Sequence, residues 1–458
     1  MTARTTAATT ESREERIEAI MNELRPKIEA TVRRMVERAV DVPEGGGVRR
    51  HRLRVPRRGT GTRQRGPAGR RGEPETKGYV GCSVTCEHCS YAAKFHSYQR
   101  RRLVTAPGAV WVRRAYYYCG RCRQGFLPYD EALGLVDEVS PGLMPLVCLA
   151  GTLLPFADAA QDLLRRFAGV RLSASTVLRD TEGEGERLRA RQKAGRMVEP
   201  TRPEPHWTAA REGEQPAAYV GLDAFSVPLQ GVGAGTADHR MLYTALLYTP
   251  GKEHPRYLVD FELDALAEQV RAPARALGVS RVGDLIAITD GGNGLEEALR
   301  RHLAENLRTI LDWYHAAEHL GDFATVWHGE DAAACTQWQT QAKTILYEQG
   351  GEALLTYLQA LALPADASAQ VREELRRLIG YFTNNRHRTD YPAYRRQGWD
   401  IGSGPTEAGC KIIGERLKGS GMRWVEDGAV TVASLRAWYV SGGKVWDGFW
   451  AQPRRPAA

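Results

Sequence analysis

Long apolar runs are missing from this 458-residue chain: none approaches the ~20 residues that span a bilayer, which excludes a transmembrane helix. The opening residues, Met1-Thr-Ala-Arg-Thr-Thr, lack the apolar core of a secretion signal, so a cytoplasmic protein is expected. Cysteine is sparse. Eight in a chain this long do not make a disulfide scaffold, and four of them fall in two C-x-x-C pairs, which in a reducing compartment points to metal. Acid is absent from Arg49 to Arg71, a stretch that holds ten arginines. What remains is ordinary: 42% apolar and 26% charged residues, enough for two to four domains at roughly 100–200 residues each. The net charge of +8 suggests a polyanionic partner.

Residues 1–47 carry Ile17, Ile20, Met21, Leu24, Ile28 and Val32 at helical spacing, with charges of both signs between them. This N-terminal helix is a candidate surface for a homo-oligomer. Residues 48–75 read as a disordered arm, in which Arg49, Arg50, Arg52, Arg54, Arg57 and Arg58 are candidate DNA contacts. Residues 1–75 hold 18 Lys and Arg against 11 Asp and Glu, which places +7 of the net charge there. The cysteine pairs occupy 76–130. Residues 138–192 read as helices, with a Ser140-Pro141 start, a stop at Gly169 and an N-cap at Ser173 or Ser175; helix, glycine turn and capped helix suit a helix-turn-helix. A plain helical bundle fits the same pattern. A linker over 200–217 precedes a mixed α/β core over 218–328. Within it Pro273 is expected to kink or split a helix from Glu262 to Leu277. A helical insertion covers 329–395, and 396–450 is the last part of the core.

Cys86-Glu-His-Cys89 and Cys119-Gly-Arg-Cys122 supply four thiolates on two tight turns, a full tetrahedral set for structural Zn²⁺. The 29 residues between them include alternating β-type sequence, Ala109 to Tyr118, suited to the hairpin of a zinc ribbon. Cys82 and His88 are spare ligands. A second constellation is acidic. Asp223, Asp290 and Asp312 each end an apolar strand, and ligands of open α/β sheets gather at the carboxyl ends of strands. Converging carboxylates there, with one more from a helix at Glu407, suit two Mg²⁺ (or Mn²⁺) ions of the kind that catalyse phosphodiester transfer. The blander alternatives are an N-cap at Asp312 and a dipole-complementing Glu407. Downstream, Arg416, Lys418 and Arg423 are placed to hold phosphates, and Trp424 suits base stacking or a core position.

His315-Ala-Ala-Glu318-His319 fits the H-x-x-E-H zinc-peptidase signature, with Glu373 or Glu374 as a third ligand; this is a competing reading. In another, Asp312 and His315 form an Asp-x-x-His pair that supports the acidic site.

Leu222-Asp223-Ala, Thr289-Asp290-Gly-Gly, Leu311-Asp312-Trp-Tyr-His315-Ala-Ala-Glu-His-Leu320 and Gly402-Ser-Gly-Pro-Thr-Glu407 together resemble the ISKra type of bacterial insertion-sequence transposase, which is similar to the Mutator-like superfamily. The tail Arg416 to Trp424 and the cysteine block with Leu127-Pro-Tyr-Asp130 extend the likeness over about residues 76–450. The resemblance implies a ribonuclease H-like core with an all-α insertion before the last acid. It implies Asp223, Asp290 and Glu407 as the catalytic, Mg²⁺-binding triad, with Asp312 and His315 auxiliary. Its activity would be cleavage at transposon ends and strand transfer of the 3′-OH into target DNA. A non-catalytic DNA-binding protein derived from a transposase is the alternative.

Overall fold

The computed structural model describes residues 76–135, 137–196, 217–231, 237–279, 284–292, 294–303 and 307–452. The N-terminal helix, the arginine arm and nearly all of the linker lie outside them.

The cysteine region is built on a long antiparallel hairpin. β1 (Thr76–Lys77) and β2 (Ser83–Thr85) precede β3 (Ala92–Thr105) and β4 (Gly108–Tyr118), and β5 (Gly125–Phe126) returns along β4. The alternating stretch at Ala109–Tyr118 is thus one arm of the hairpin. Its partner is longer and absorbs a register shift between Phe95 and Ser97. After β5, α1 (Pro128–Leu133) brings Asp130 under the hairpin, where it pairs with the buried Arg114 and with Arg101 at 2.9 Å. Burial pulls the Arg114 guanidinium below its usual range, and the Asp130 charge opposes that shift. The ion pair is what makes an arginine tolerable there.

The expected helical region follows as α2 (Met144–Leu153), a helix that runs from Phe156–Asp158 into a π-helical stretch at Ala159–Phe167, and α3 (Ala174–Lys193). The first helix starts at Met144, with Pro145 in its first turn, and not at the Ser-Pro pair. Gly169 has φ +72°, and Ser173 caps α3 by accepting from Thr176 N at 3.1 Å. The turn and cap are as expected. A long face of α3 is nevertheless buried against the rest of the chain: a Cβ on Gly185 would sit 2.5 Å from the Thr431 carbonyl oxygen, and Arg189 pairs with Asp260 at 3.0 Å.

β6 (Ala217–Gln230), β7 (Ala237–Thr249) and β8 (Glu253–Asp260) form an antiparallel meander. α4 (Leu263–Ala276), β9 (Asp284–Thr289), α5 (Leu295–His302) and β10 (Leu307–Leu311) follow, and the sheet order is β10-β9-β6-β7-β8. β9 and β10 run parallel to β6. α4 continues through Pro273 without a break. From Ala217 to Leu222 β6 is buried on both faces, as a central strand must be. On one face Val220, Leu222, Leu285 and Ala287 pack with Leu266, Val270 and Leu299 of α4 and α5. On the other, Tyr219, Phe225, Ile286 and Ile310 meet the remaining helices. Those are α6 (Trp313–His328), α7 (Ala332–Gln349), α8 (Gly351–Gln359), α9 (Ala369–Asn385), α10 (Tyr391–Arg396), α11 (Gly404–Glu415), α12 (Glu426–Val440) and α13 (Gly443–Trp450). The protein is mixed α/β with two sheets, and α7 to α10 form the helical insertion. No helix among the described residues is long and apolar enough to cross a membrane.

Candidate functional site

Two places gather chemistry-bearing side chains. At the base of the β3–β4 hairpin the sulfurs of Cys86, Cys89, Cys119 and Cys122 all lie within 4.8 Å of one another. Cys86 and Cys122 are 3.5 Å apart, and Cys89 and Cys119 3.6 Å. A tetrahedral zinc with Zn–S of ~2.3 Å separates its sulfurs by about 3.8 Å, so the four fit one ion. Within the cluster the turn amides of Cys122 and Arg121 pull the Cys119 thiol down, whereas burial pushes that of Cys122 up. Cys82 and His88 are exposed and outside the group. Phe95, Tyr117 and Phe126 pack around the sulfurs. The four cysteines could hold a metal ion such as zinc, and four thiolates would leave it no open position.

The second place is the carboxyl edge of the five-stranded sheet. Parallel register pairs Leu222 with Thr289 as the last bridged residues, so Asp223 and Asp290 come next along the two neighbouring strands. By alternation both belong to the face covered by α11. Asp223 is half-buried, and its Oδ1 accepts its neighbour's amide, Ala224 N, at 2.7 Å. Asp290 Oδ1 accepts from Gly292 N at 2.8 Å, in a turn that Gly291 permits with φ +87°.

Glu407 arrives from α11. This helix starts at Gly404, so Pro405 sits inside its first turn, where its missing N–H costs nothing. α11 lies unusually close to the sheet: a Cβ on Gly221 of β6 would be 1.9 Å from Thr406 Oγ1, and one on Gly409 would be 2.2 Å from the ring of Tyr257 on β8. One turn beyond Glu407, Cys410 is buried against Asp223. Burial first, then the Asp223 charge, pushes its thiol well above the usual range. Glu407 lies one turn before Cys410 on the helix that packs against β6. Glu407 itself is exposed and accepts a hydrogen bond from Ser403 Oγ.

Asp312 is fully buried at the end of β10. One oxygen caps α6 by accepting from His315 N at 2.8 Å, and the other accepts from Ser403 N. The N-cap reading of Asp312 thus holds, with a second bond that sequence does not disclose. His315 is half-exposed, with its ring 4.9 Å from that of His319. The His319 ring lies 4.1 Å from that of Tyr381, whose hydroxyl donates to the Asp290 carbonyl at 3.3 Å. Tyr381 belongs to the helical insertion, as does the buried Arg388, which donates to Thr289 Oγ1 at 2.8 Å. Ser403, Tyr381 and Arg388 were missed by sequence reasoning. Only Ser403 had a signal, its place two residues before a proline at a helix start.

Among the described residues, the four cysteines are the only set of three or more Cys, His, Asp or Glu side chains drawn within 4.8 Å. The expected third ligand of a zinc peptidase is therefore not assembled at His315 and His319. Glu373 and Glu374 are instead engaged by Arg376 and Arg377.

Two expected DNA contacts are corrected. Arg416 is 3% exposed, donates to the Gly151 carbonyl at 2.9 Å and lies over the Phe156 and Trp424 rings at 4.7 and 5.0 Å. Burial brings its pKa down to about 10. Trp424 is 7% exposed, its indole N–H donates to the Leu417 carbonyl at 3.0 Å, and its backbone extends the edge of β6 through Pro228 and Gln230. Both serve the core, because the glycine-rich turn before Trp424 folds it inward. Lys418 and Arg423 are exposed; Lys418 lies 5.0 Å over the Phe225 ring, near Cys410 and Asp223. The arginines at 49, 50, 52, 54, 57 and 58 lie outside the described residues. Neither a protein-family model nor a curated protein matches the chain.

Proposed function

We propose that this protein is a DNA transposase with a ribonuclease H-like core, which cleaves DNA at the ends of its element and transfers the 3′-OH into target DNA. The observation that carries the reading is that Asp223 and Asp290 follow the last paired residues of two neighbouring parallel strands, with the helix that bears Glu407 packed against β6. The sheet order supports it: a meander extended by two parallel strands puts the ends of β6 and β9 side by side, as the resemblance requires. The helical insertion before Glu407 and the cysteine module before the core agree with it.

The donor set suits Mg²⁺ or Mn²⁺: three carboxylates, two of them partly exposed at adjacent strand ends. Among the described residues their oxygens do not fall within 4.8 Å of one another. When bound, such ions supply Lewis-acid stabilisation of the attacking and leaving oxygens. The chain's own part is positioning. β6 and β9 fix Asp223 and Asp290, the close β6–α11 contact fixes Glu407, and Ser403 steadies its carboxylate. Exposed Lys418 is available to a DNA phosphate. Little covalent protein chemistry is then needed.

The test is direct. Full-length protein, Mg²⁺ and the DNA that flanks its own coding sequence should give discrete strand cuts and joined products. Binding without any metal-dependent cutting would favour the non-catalytic DNA-binding reading instead.

A further inference from the structure

The positive charge outside the arm is not spread evenly. Residues 76–130 hold nine Lys and Arg against two Asp and Glu, a net +7, whereas residues 131–458 sum to −6. Four zinc-bound thiolates would add only about −2 to the module, so it stays basic. Two of its cations, Lys94 and Arg121, line a groove of about 640 Å³ next to the cysteine turns, together with Tyr91, His96, Tyr118 and Gly120.

We propose that this groove binds an unpaired nucleotide of a DNA strand, with the base against Tyr91, Tyr118 and His96 and the flanking phosphates at Lys94 and Arg121. Tyr91 is 54% exposed and Tyr118 37%, a large open aromatic surface beside a folded metal site. Hairpin register sets Lys94 directly opposite Tyr118, so ammonium and ring share one face. Arg121 lies 5.8 Å over the Tyr91 ring, and the His96 ring meets that of Tyr118 edge-on at 6.4 Å. Among the described residues neither Lys94 nor Arg121 meets a carboxylate, unlike Arg101 and Arg114 of the same hairpin. The volume falls within the about 300–1,000 Å³ of small-ligand sites, room for a base but not for a duplex. Aromatic faces with loose cations are how proteins hold single strands without reading sequence. The site stands apart from the acidic edge and does not depend on catalysis.

The experiment is fluorescence anisotropy of the full chain with a labelled oligothymidylate and with a duplex of equal length, at several salt concentrations. Tyr91→Ala/Tyr118→Ala should weaken oligothymidylate binding about 5–100-fold, as loss of a stacked base does, and leave duplex binding within twofold. Tyr118→Phe should retain affinity. Lys94→Gln/Arg121→Gln should flatten the slope of log K against log salt by up to about 0.7 per lost phosphate contact. A 4-thiothymidine strand should photocrosslink to peptides carrying Tyr91 or Tyr118. Zinc content equal to the parent's confirms that each variant is folded. Unchanged oligothymidylate affinity in the tyrosine variant, crosslinks confined to residues 48–72, or equal competition by polyglutamate would each overturn the proposal.

Discussion

The buried carboxylate of Asp312 accepts the backbone N–H of Ser403, and the Ser403 hydroxyl in turn donates to Glu407. A residue at the end of β10 thereby holds the entry to the helix that presents Glu407. Asp312 touches no exposed surface, so it acts as a positioning residue. Asp312→Ala should cost about 1–3 kcal/mol through the lost cap and the unpaired buried amides. Calorimetric melting would measure this. Asp312→Asn keeps the cap to His315 N but turns an amide N–H toward Ser403, and should lose activity more than stability.

The helix–strand contact offers a sharper test of placement. Gly221→Ala sets a methyl where Thr406 Oγ1 stands, which should push α11 outward at about 1–3 kcal/mol of overpacking. Thr406→Ala removes two of the three nearest obstructing atoms, Oγ1 and Cγ2, and keeps Cβ. The double variant should recover part of both the melting temperature and any DNA-cutting activity. No recovery would mean that α11 does not sit on β6 as described.

If the four close cysteines hold zinc, elemental analysis should find one zinc per chain. Cys86→Ser should release it and expose the Ala92–Tyr118 hairpin to proteases, while β6 to β10 keep their protection. Four thiolates leave no open position, so replacing Zn²⁺ by Cd²⁺ should restore the fold.

His319 makes stability depend on pH. Burial first, then the charge of His315, lowers its pKa from the ordinary 6.5, opposed by Asp322, Glu318 and Asp290. The unfolded chain therefore takes the proton more readily than the folded one. The stabilisation is complete above about pH 6.5 and is lost as pH falls toward the lowered folded value. In EDTA, melting temperature should drop on acidification below pH 6.5, and His319→Gln should flatten that slope. An unchanged slope would place the titration elsewhere.

Some of this was legible in the sequence, and the split has a physical basis. The cysteine pairs, the strands ending in Asp223, Asp290 and Asp312, and the caps at Ser173 and Asp312 are local patterns, set by chemistry within a few residues. The Asp312–Ser403 tether spans 91 residues and the Gly221–Thr406 contact is longer still; neither leaves a local trace. Arg416 and Trp424 were misplaced for the same reason. Their sequence neighbourhood is basic and glycine-rich, but their partners, Gly151 and Phe156, lie far upstream. Charge was only half read. A sum over residues 76–458 is nearly neutral because the basic zinc module cancels an acidic remainder.

The central claim is that Asp223 belongs to a two-metal DNA-cutting site. The most direct measurement compares full-length protein with Asp223→Asn on the same flanking DNA, scoring strand cleavage with Mg²⁺ and binding without it. The account predicts that cleavage falls to background while DNA affinity stays within twofold. Cleavage surviving the substitution at the parent rate would contradict it.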